Sequence, residues 1–245
     1  ISTSDVTGLG VLRILEVIRN LKSCPKFYQA SSSEMFGDVL ETPQKITTPF
    51  NPVSPYAIAK LFAHYTTINY RKAYKIFAVS GICFNHESPL RGEEFITRKI
   101  TNGLSKIKAG LLDHLEVGNI DAKRDWGFAG DYVNAMWLML QQKQARDYII
   151  ATGKMYSVRQ FINEAIKHFD FDAYWVGKKE NEKLKLKKNN KTIICINKKY
   201  YRPNEVETLL GDASQTKKFL KWNPSVDFKK LVKIMSLSDL NIYNK

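Results

Sequence analysis

Apolar residues recur at two spacings along the chain, and stretches with the two spacings alternate. Apolar residues three or four apart predict helices over residues 5–21, 55–74, 93–109 and 130–142, and a capping box at Ser157 and Gln160 predicts one more. Short apolar runs predict buried strands at residues 27–30, 76–84, 115–118 and 148–151. This alternation favours an α/β fold, in which helices cover both faces of a parallel, doubly wound sheet.

The pattern becomes looser after about residue 171. Residues 174–177 and 192–197 resemble short strands, and the chain ends on a segment with helical spacing. We therefore predict a larger sheet domain over residues 1–170 and a smaller region, which packs on the sheet like a lid, over residues 171–245.

Composition places the chain among ordinary globular proteins, with 245 residues of which 44% are hydrophobic and 25% charged. The chain has no apolar run long enough for a membrane span and no secretory leader, so we expect a cytoplasmic protein. Cys24, Cys83 and Cys195 are odd in number and widely spaced, which favours neither a disulfide framework nor a metal site. We predict that these thiols are reduced and mostly buried.

The formal net charge of +14 raises the question of an anionic partner. Nine lysines and only two glutamates lie between residues 178 and 199, where they alternate with asparagines. We interpret this segment as a solvated loop and expect no nucleic acid partner. A basic face that binds nucleic acid is the alternative, and such binding would weaken steeply with salt.

The strongest chemical signal is the pair Tyr56 and Lys60, which lie four residues apart on one predicted helix. A lysine ammonium near a phenol favours the phenolate, which makes tyrosine usable as a general base. The spacing alone is common. It gains weight here because Ser54 and Pro55 start this helix soon after a strand that ends in a serine-rich polar cluster with Glu34.

Five stretches of the chain together resemble one known family. They are ASSSE (30–34), SPYAIAK (54–60), FNHESPLRG (84–92), VGNIDAKRDWG (117–127) and YRPNEVE (201–207). The first two resemble extended short-chain dehydrogenases/reductases that act on nucleotide sugars, and the other three are similar to the GDP-mannose 4,6-dehydratase family. The resemblance runs from about residue 5 to residue 235.

The resemblance implies a lyase with a tightly held NADP that converts GDP-mannose to GDP-4-keto-6-deoxymannose, in GDP-deoxyhexose biosynthesis of the fucose or rhamnose type. Tyr56, assisted by Lys60, would take the proton of the sugar 4-hydroxyl while hydride leaves C4. Glu34 would remove the C5 proton as water leaves C6, and Ser32 would hydrogen-bond the 4-oxygen. Hydride would then return to C6.

The same resemblance assigns binding roles by position. Residues 1–170 would be the C-terminal part of an NADP-binding Rossmann-like domain, with substrate-binding segments interleaved from about residue 85, and 171–245 would mainly bind substrate. NADP would contact Tyr56, Lys60, His86 and Arg91, and GDP-mannose would contact Asn85, Lys99, Gly118, Arg124, Arg202 and Glu205. His64, His114 and His168 are assigned structural roles. The family also implies a homodimer or homotetramer.

The chain departs from the family pattern at three points. Ser32 replaces a threonine, and Leu90 replaces the first of two arginines. No glycine-rich dinucleotide fingerprint occurs, although a Rossmann-like fold holds the pyrophosphate on such a turn. Because the chain starts at Ile1 within a predicted helix, we expect the first βα units, on the order of 100 residues, to lie upstream.

Three alternatives to the dehydratase remain open at this point. One is a nucleotide-sugar epimerase, which would change stereochemistry without losing water. Another is a catalytically silent fragment that serves as a nucleotide-sugar-binding or interaction module, which the missing fingerprint favours. The third is the basic nucleic-acid-binding protein that the lysine-rich segment suggests.

Overall fold

The structure, a computed structural model, describes residues 1–201 and 208–243. Seven α-helices lie in this part of the chain: α1 (Gly10–Arg19), α2 (Pro55–Tyr74), α3 (Ile96–Lys108), α4 (Ala129–Leu140), α5 (Val158–His168), α6 (Ser214–Leu220) and α7 (Phe228–Tyr243). Its strands are β1 (Phe27–Ser32), β2 (Ala78–Cys83), β3 (Asn85–Glu87), β4 (Leu115–Val117), β5 (Lys123–Arg124), β6 (Trp126–Phe128), β7 (Asp147–Ile150), β8 (Tyr156–Ser157), β9 (Ala173–Val176), β10 (Lys183–Leu186), β11 (Thr192–Ile196) and β12 (Thr208–Leu209). Within these residues, none of the helices combines the length and apolar character needed to cross a lipid bilayer.

The described chain forms two compact units that are interleaved along the sequence. The first unit contains Ile1–His86, Asp125–Met155 and Thr208–Ser225. The second contains Glu87–Arg124 together with residues 156–201 and 226–243. The assignment of residues 1–170 to cofactor binding and of 171–245 to substrate binding stays a prediction.

The first unit is built on a parallel sheet with the strand order β1-β2-β7. Every residue of the central strand β2 is buried, as expected for a strand that is covered on both faces. Val79 and Cys83 belong to one apolar cluster, with residues of α4 and α6, whereas Ala78 belongs to another, with residues of α1 and α2. The predicted α/β fold with a parallel sheet is therefore confirmed.

The helix predictions for this unit are also confirmed, with a π-helix at Ser4–Leu9 preceding α1, and a side-chain cap marks the start of α2. Helix α2 covers the predicted residues 55–74, with Pro55 in its first turn and the Ser54 hydroxyl accepting a hydrogen bond from the Ala57 backbone N–H at 3.1 Å. Strand β1 is longer than predicted: it continues to Ser32 because Ser31 and Ser32 still pair with Ile82 and Cys83 of β2.

The second unit contains a four-stranded mixed sheet with the order β4-β11-β10-β9 and the helices α3, α5 and α7. Strands β4 and β11 are parallel, whereas β10 is antiparallel to both of its neighbours. Helix α5 begins with the predicted capping box of Ser157 and Gln160. A buried ion pair joins α3 to α7, with the Arg98 guanidinium 2.7 Å from the Asp239 carboxylate.

Two predictions from the sequence are wrong. The lysine-rich segment at residues 178–199 is not a solvated loop throughout. It contains β11, which agrees with the short strand predicted at residues 192–197, and β10, which was not predicted, and a short turn joins the two strands. Lys183, Leu184, Lys185 and Leu186 alternate as expected for a half-buried strand, and Leu184 is fully buried. The thiols are not mostly buried either. Cys83 is buried, Cys195 is half-buried, and Cys24 is exposed in the loop after α1.

Candidate active site

The end of β1 presents Ser32 and Glu34 next to each other. Glu34 lies in a single 3₁₀ turn, Ser33–Phe36, and the Ser32 hydroxyl caps this turn by accepting a hydrogen bond from the Glu34 backbone N–H at 3.2 Å. The cap leaves the Ser32 O–H proton available as a donor. Glu34 is half-buried, so its carboxylate is held on an ordered turn and remains accessible.

A buried contact ties this strand end to helix α2. The Ser31 hydroxyl lies 2.9 Å from Nδ1 of His64, and both residues are buried. Burial lowers the pKa of His64, which favours the neutral ring. This contact joins α2 to β1, and the structural role of His64 stays a prediction that it supports.

Tyr56 and Lys60 lie together on the first turns of α2, as predicted. The Lys60 Nζ is 5.7 Å from the centre of the Tyr56 ring, and it donates a hydrogen bond to the Ala30 carbonyl of β1 at 2.9 Å. Burial lowers the pKa of Lys60, and the nearby Cys83 thiol acts in the opposite direction. Tyr56 lies beside this ammonium group. Its side chain is 42% exposed, so a substrate can reach it.

The elements that carry these four residues contact one another. Helix α2, which carries Tyr56 and Lys60, contacts both β1 and the 3₁₀ turn that carries Glu34. The Lys60 anchor on Ala30 lies two residues before Ser32. Lys60 therefore links helix α2 to β1 near its carboxyl end, which carries Ser32 and is followed by Glu34, and parallel sheets bind their ligands at this end of their strands.

Asn85 and His86 follow the next strand of the same sheet. His86 Nδ1 lies 2.9 Å from the Phe84 carbonyl oxygen, and a carbonyl only accepts, so this nitrogen is assigned the proton. The Nε2 atom is then the acceptor of the neutral ring. The Asn85 Oδ1 atom is buried, and within the described residues it has no hydrogen-bond partner. A buried unpaired carbonyl is costly, and a ligand donor would satisfy it.

Sequence reasoning missed three residues that shape this region. Asp125 is fully buried and accepts hydrogen bonds from the Thr152 backbone N–H at 2.9 Å, the Thr152 hydroxyl at 2.6 Å and the Gly153 backbone N–H at 2.8 Å. Burial raises the pKa of Asp125, and these hydrogen bonds oppose the shift. The carboxylate therefore fixes the turn after β7.

Gly127 and Tyr132 act together on His86. A Cβ atom at Gly127 would lie 2.3 Å from the Tyr132 ring, so only glycine leaves room for that ring. The ring in turn stacks on His86 with 4.9 Å between the ring centres. The Arg-Asp-Trp-Gly stretch carried the signal for Asp125 and Gly127, whereas Tyr132 appeared only as an apolar helix residue.

In the second unit, Tyr200 joins two of the predicted substrate residues. The Lys99 Nζ lies 3.6 Å from the centre of the Tyr200 ring, a cation–π contact. A Cβ at Gly118 would lie 2.5 Å from the Tyr200 carbonyl oxygen, so glycine is required for this close approach. Burial lowers the pKa of Lys99, and Glu116 opposes the shift. Tyr200 was missed because it directly precedes the family stretch.

The remaining predicted residues are held in different ways. The Arg91 guanidinium pairs with Glu87 at 3.3 Å and stacks on the Phe95 ring at 3.6 Å, so it already has partners within the second unit. Arg124 lies in β5 and donates to the Lys123 carbonyl at 2.9 Å. Arg202 and Glu205 lie outside the described residues.

Comparison with solved structures extends the fold assignment. The chain matches RMD from Pseudomonas aeruginosa complexed with NADPH with a TM-score of 0.82 at 20% identity, covering 98% of this chain and 74% of that one. It matches a dTDP-glucose 4,6-dehydratase from Bacillus anthracis in complex with NAD with a TM-score of 0.78 at 18% identity, covering 96% and 68%. At these identities the likeness shows the fold alone.

Sequence comparison gives the family. The chain is 50% identical over 242 residues to a GDP-mannose 4,6 dehydratase of Cricetulus griseus, covering 98% of this chain and 65% of that protein. It is also 50% identical over 240 residues to one of Dictyostelium discoideum, covering 97% and 67%. The chain thus spans about two thirds of the length of these curated relatives. The sequence profile of the GDP-mannose 4,6 dehydratase family matches residues 1–235, and the chain belongs to this family.

Proposed function

We propose that the protein is a hydro-lyase that converts GDP-mannose to GDP-4-keto-6-deoxymannose with bound NADP. The observation that carries the proposal is the pair Tyr56 and Lys60, anchored through Ala30 to the strand end that presents Ser32 and Glu34. Family membership supports the choice of substrate, because the curated relatives are named for GDP-mannose.

Tyr56 is the proposed base for the sugar 4-hydroxyl. The Lys60 ammonium lies within 5.7 Å of the ring centre, which at an effective dielectric constant of about 20 corresponds to an attraction on the order of 1–3 kcal/mol for a phenolate. The hydrogen bond from Lys60 to Ala30 holds the ammonium group at this place, so it needs no rearrangement when the proton moves.

Ser32 is proposed to act at the same sugar 4-oxygen as Tyr56, and Glu34 at C5 and C6. Because the Ser32 oxygen already accepts from the Glu34 backbone N–H, its O–H proton is directed elsewhere and can donate to the sugar 4-oxygen. Glu34 is the proposed base for the C5 proton, and its protonated form then assists the departure of the 6-hydroxyl as water. Two separate bases suit an alcohol and a carbon acid at different positions of one ring.

The residues present fit a dinucleotide cofactor. The His86 Nε2 is assigned as an acceptor by the bond that Nδ1 makes to the Phe84 carbonyl, and the Ala30 carbonyl holds the Lys60 ammonium group in place beside Tyr56. We propose that Tyr56, Lys60, His86 and Arg91 hold NADP, which accepts and returns one hydride when bound. The two structural neighbours are in complex with NADPH and with NAD, which supports a nicotinamide dinucleotide.

The proposed substrate-binding residues are Asn85, Lys99, Gly118, Arg124, Arg202 and Glu205. Lys99 supplies a positive charge for the pyrophosphate, and its stacking on Tyr200 keeps the ammonium group in place. We further propose the cytoplasm as the compartment and a homodimer or homotetramer as the assembly. The proposed assembly is supported by exposed apolar side chains on the neighbouring helices α1 and α2: Ile14, Val17, Ile58, Phe62 and Tyr65.

The test is an assay of the purified protein with GDP-mannose and added NADP. We expect a 4-keto-6-deoxyhexose product, loss of one water by mass, and no net reduction of NADP. Formation of a stereoisomer without loss of water would replace the dehydratase by an epimerase. Saturable binding of GDP-mannose without turnover would instead favour a silent binding module.

A further inference from the structure

We propose that the second unit carries a binding site for a divalent transition-metal ion of the Zn²⁺ type, formed by His114, Glu116 and Cys195. The imidazole nitrogen, the carboxylate oxygen and the thiol sulfur offered by these residues all lie within 4.8 Å of one another. The site is separate from the four residues proposed for catalysis, and the inference does not depend on the proposed function.

The sheet holds the donors on one face. Strands β4 and β11 are parallel, with Cys195 paired to Glu116 and Ile194 paired to Leu115. Leu115 and Ile194 are buried, so Glu116 and Cys195 extend from the opposite face, because side chains alternate along a strand. His114 directly precedes β4, and its imidazole lies within 4.8 Å of the other two donor atoms.

The donor set suits a borderline ion. Thiolate and imidazole are preferred ligands of Zn²⁺, and a carboxylate is accepted as a third. A thiolate and a carboxylate together carry two negative charges, which a divalent ion neutralises. Bonds of about 2.0–2.3 Å in tetrahedral geometry place ligand atoms about 3.5 Å apart, so side-chain rotations of about 1 Å close the site around an ion.

The surroundings orient the ligands and leave the site open. The Asn197 amide donates a hydrogen bond to one Glu116 oxygen at 2.9 Å, an outer contact of the kind that fixes a metal-binding carboxylate. Lys183 pairs with Cys195 on the neighbouring strand β10. His114 is exposed and the other two donors are half-buried, so an ion can enter from solvent and keep a water as its fourth ligand.

The other two cysteines provide internal controls. Cys24 is exposed in the first unit and Cys83 is buried beside the Tyr28 hydroxyl. Within the described residues, the three donors named above are the only group of this kind that contains either a histidine or a cysteine. If any accessible thiol could bind the metal, the exposed Cys24 would bind it too. The proposed site instead requires Cys195.

The first experiment needs no variant. Untagged protein is treated with a thiol-alkylating reagent with and without Zn²⁺, and the labelled cysteines are identified by peptide mass spectrometry. We expect Zn²⁺ to slow alkylation of Cys195 at least about tenfold and to leave the rate at Cys24 unchanged. Equal rates at Cys195 with and without Zn²⁺, or equal protection of both thiols, would overturn the proposal.

The second experiment measures the ion directly, by competition of Zn²⁺ with a coloured chelator and by the absorption of Co²⁺. We expect one ion per chain and a thiolate-to-cobalt band that Cys195→Ser abolishes. His114→Ala should weaken binding by at least about 100-fold, and Asn197→Ala by about 10–100-fold, as for loss of other outer-shell contacts. Cys24→Ser should bind as the parent protein does. Binding unchanged in Cys195→Ser, or lost in Cys24→Ser, would contradict the site.

Discussion

The two units hold their candidate site residues by different means. In the first unit, Ser32 is fixed by the backbone N–H of Glu34 two residues later, and Tyr56 lies on a helix that its own neighbours Ser54 and Pro55 cap. In the second unit, Lys99 and Gly118 both depend on Tyr200, which is far away in the sequence. The proposed chemistry thus combines local motifs with the contact of Lys60 to Ala30, whereas Lys99 and Gly118 rely on distant contacts.

This difference has a physical basis. A general base must be held within a few tenths of an ångström, and short-range caps and helix spacing achieve this with few ordered residues. A binding surface for a long ligand needs side chains from several elements, and only tertiary packing brings these together. We therefore expect substitutions in the first group to change kcat, and substitutions in the second group to change KM.

The largest effect is expected for Tyr56→Phe. Removing the phenolic oxygen removes the proposed base, so kcat should fall by about 10³–10⁴-fold with the fold unchanged.

Lys99→Met should instead raise KM for GDP-mannose about tenfold with little change in kcat, because it removes a charge for the pyrophosphate. Both values come from steady-state assays of the proposed dehydration.

Tyr65→Phe is the matched control, because Tyr65 is an exposed tyrosine on the same helix. It should retain full kcat and KM. A Tyr56→Phe protein with normal kcat, or a Lys99→Met protein that loses kcat rather than affinity, would end the distinction between the two groups.

The sequence predicts the local half of this comparison well. The helix at residues 55–74 and its cap at Ser54, the spacing of Tyr56 and Lys60, and the capping box at Ser157 are set by neighbours within four residues, and the structure confirms them. Strand β11 lies at the predicted residues 192–197, whereas β10 was not predicted, because the two-residue alternation around Leu184 lies within a highly charged segment.

Spacing along the sequence does not predict contacts between residues that are far apart in the chain. Asp125 accepts hydrogen bonds from Thr152 and Gly153, and Glu116 lies beside Cys195 only because β4 pairs with β11. Nothing in the residues near Glu116 indicates that a cysteine will be its neighbour. Such pairings follow from the register of the sheet, which is decided by packing of the whole unit.

The second largest effect is expected at Asp125 and would test whether a distant contact in the first unit matters as much as the local ones. Asp125→Ala leaves the backbone N–H groups of Thr152 and Gly153 without their acceptor, so the free energy of unfolding should fall by about 3–5 kcal/mol. Urea unfolding followed by circular dichroism measures it.

Asp38→Ala is the matched control within the same unit, because Asp38 is exposed. It should change the free energy of unfolding by less than about 0.5 kcal/mol. If Asp125→Ala were no worse than Asp38→Ala, the hydrogen bonds to Asp125 would contribute nothing to the stability of this turn.

Alanine substitution of one glycine in each unit allows the two units to be compared, with a smaller expected change in stability. Gly118→Ala places a Cβ 2.5 Å from the Tyr200 carbonyl oxygen, which is backbone, so we expect a loss of about 1–3 kcal/mol in stability and weaker binding of GDP-mannose. Gly10→Ala meets its nearest atom at 3.6 Å, at the start of α1 with helical backbone angles.

Because alanine has the higher helix propensity, Gly10→Ala should stabilise the protein by about 0.5–1 kcal/mol. Opposite signs for the two substitutions in chemical denaturation would confirm that close approach, rather than backbone freedom, is what Gly118 provides. A stabilising Gly118→Ala would contradict the contact with Tyr200.

The smallest expected effect concerns the pH dependence of stability. Burial lowers the pKa of His64, Arg71 adds to this shift and Asp147 opposes it. The unfolded chain, with a histidine pKa of about 6.5, therefore binds a proton that the folded protein resists. Stability from this group is complete above about pH 6.5 and decreases as the pH falls toward the lower folded-state pKa. The slope stays below about 1.4 kcal/mol per pH unit because one proton is involved.

Replacement of the buried histidine tests this sign. His64→Asn should flatten the change in free energy of unfolding between about pH 7.5 and about pH 5.5. Burial also lowers the pKa of His168 in the second unit, but Glu164 lies 4.0 Å away and opposes the shift, and the ring is only half-buried. His168→Asn should therefore flatten the profile less. A steeper profile in His64→Asn would mean that the folded protein prefers the charged ring, which would contradict the direction of the shift.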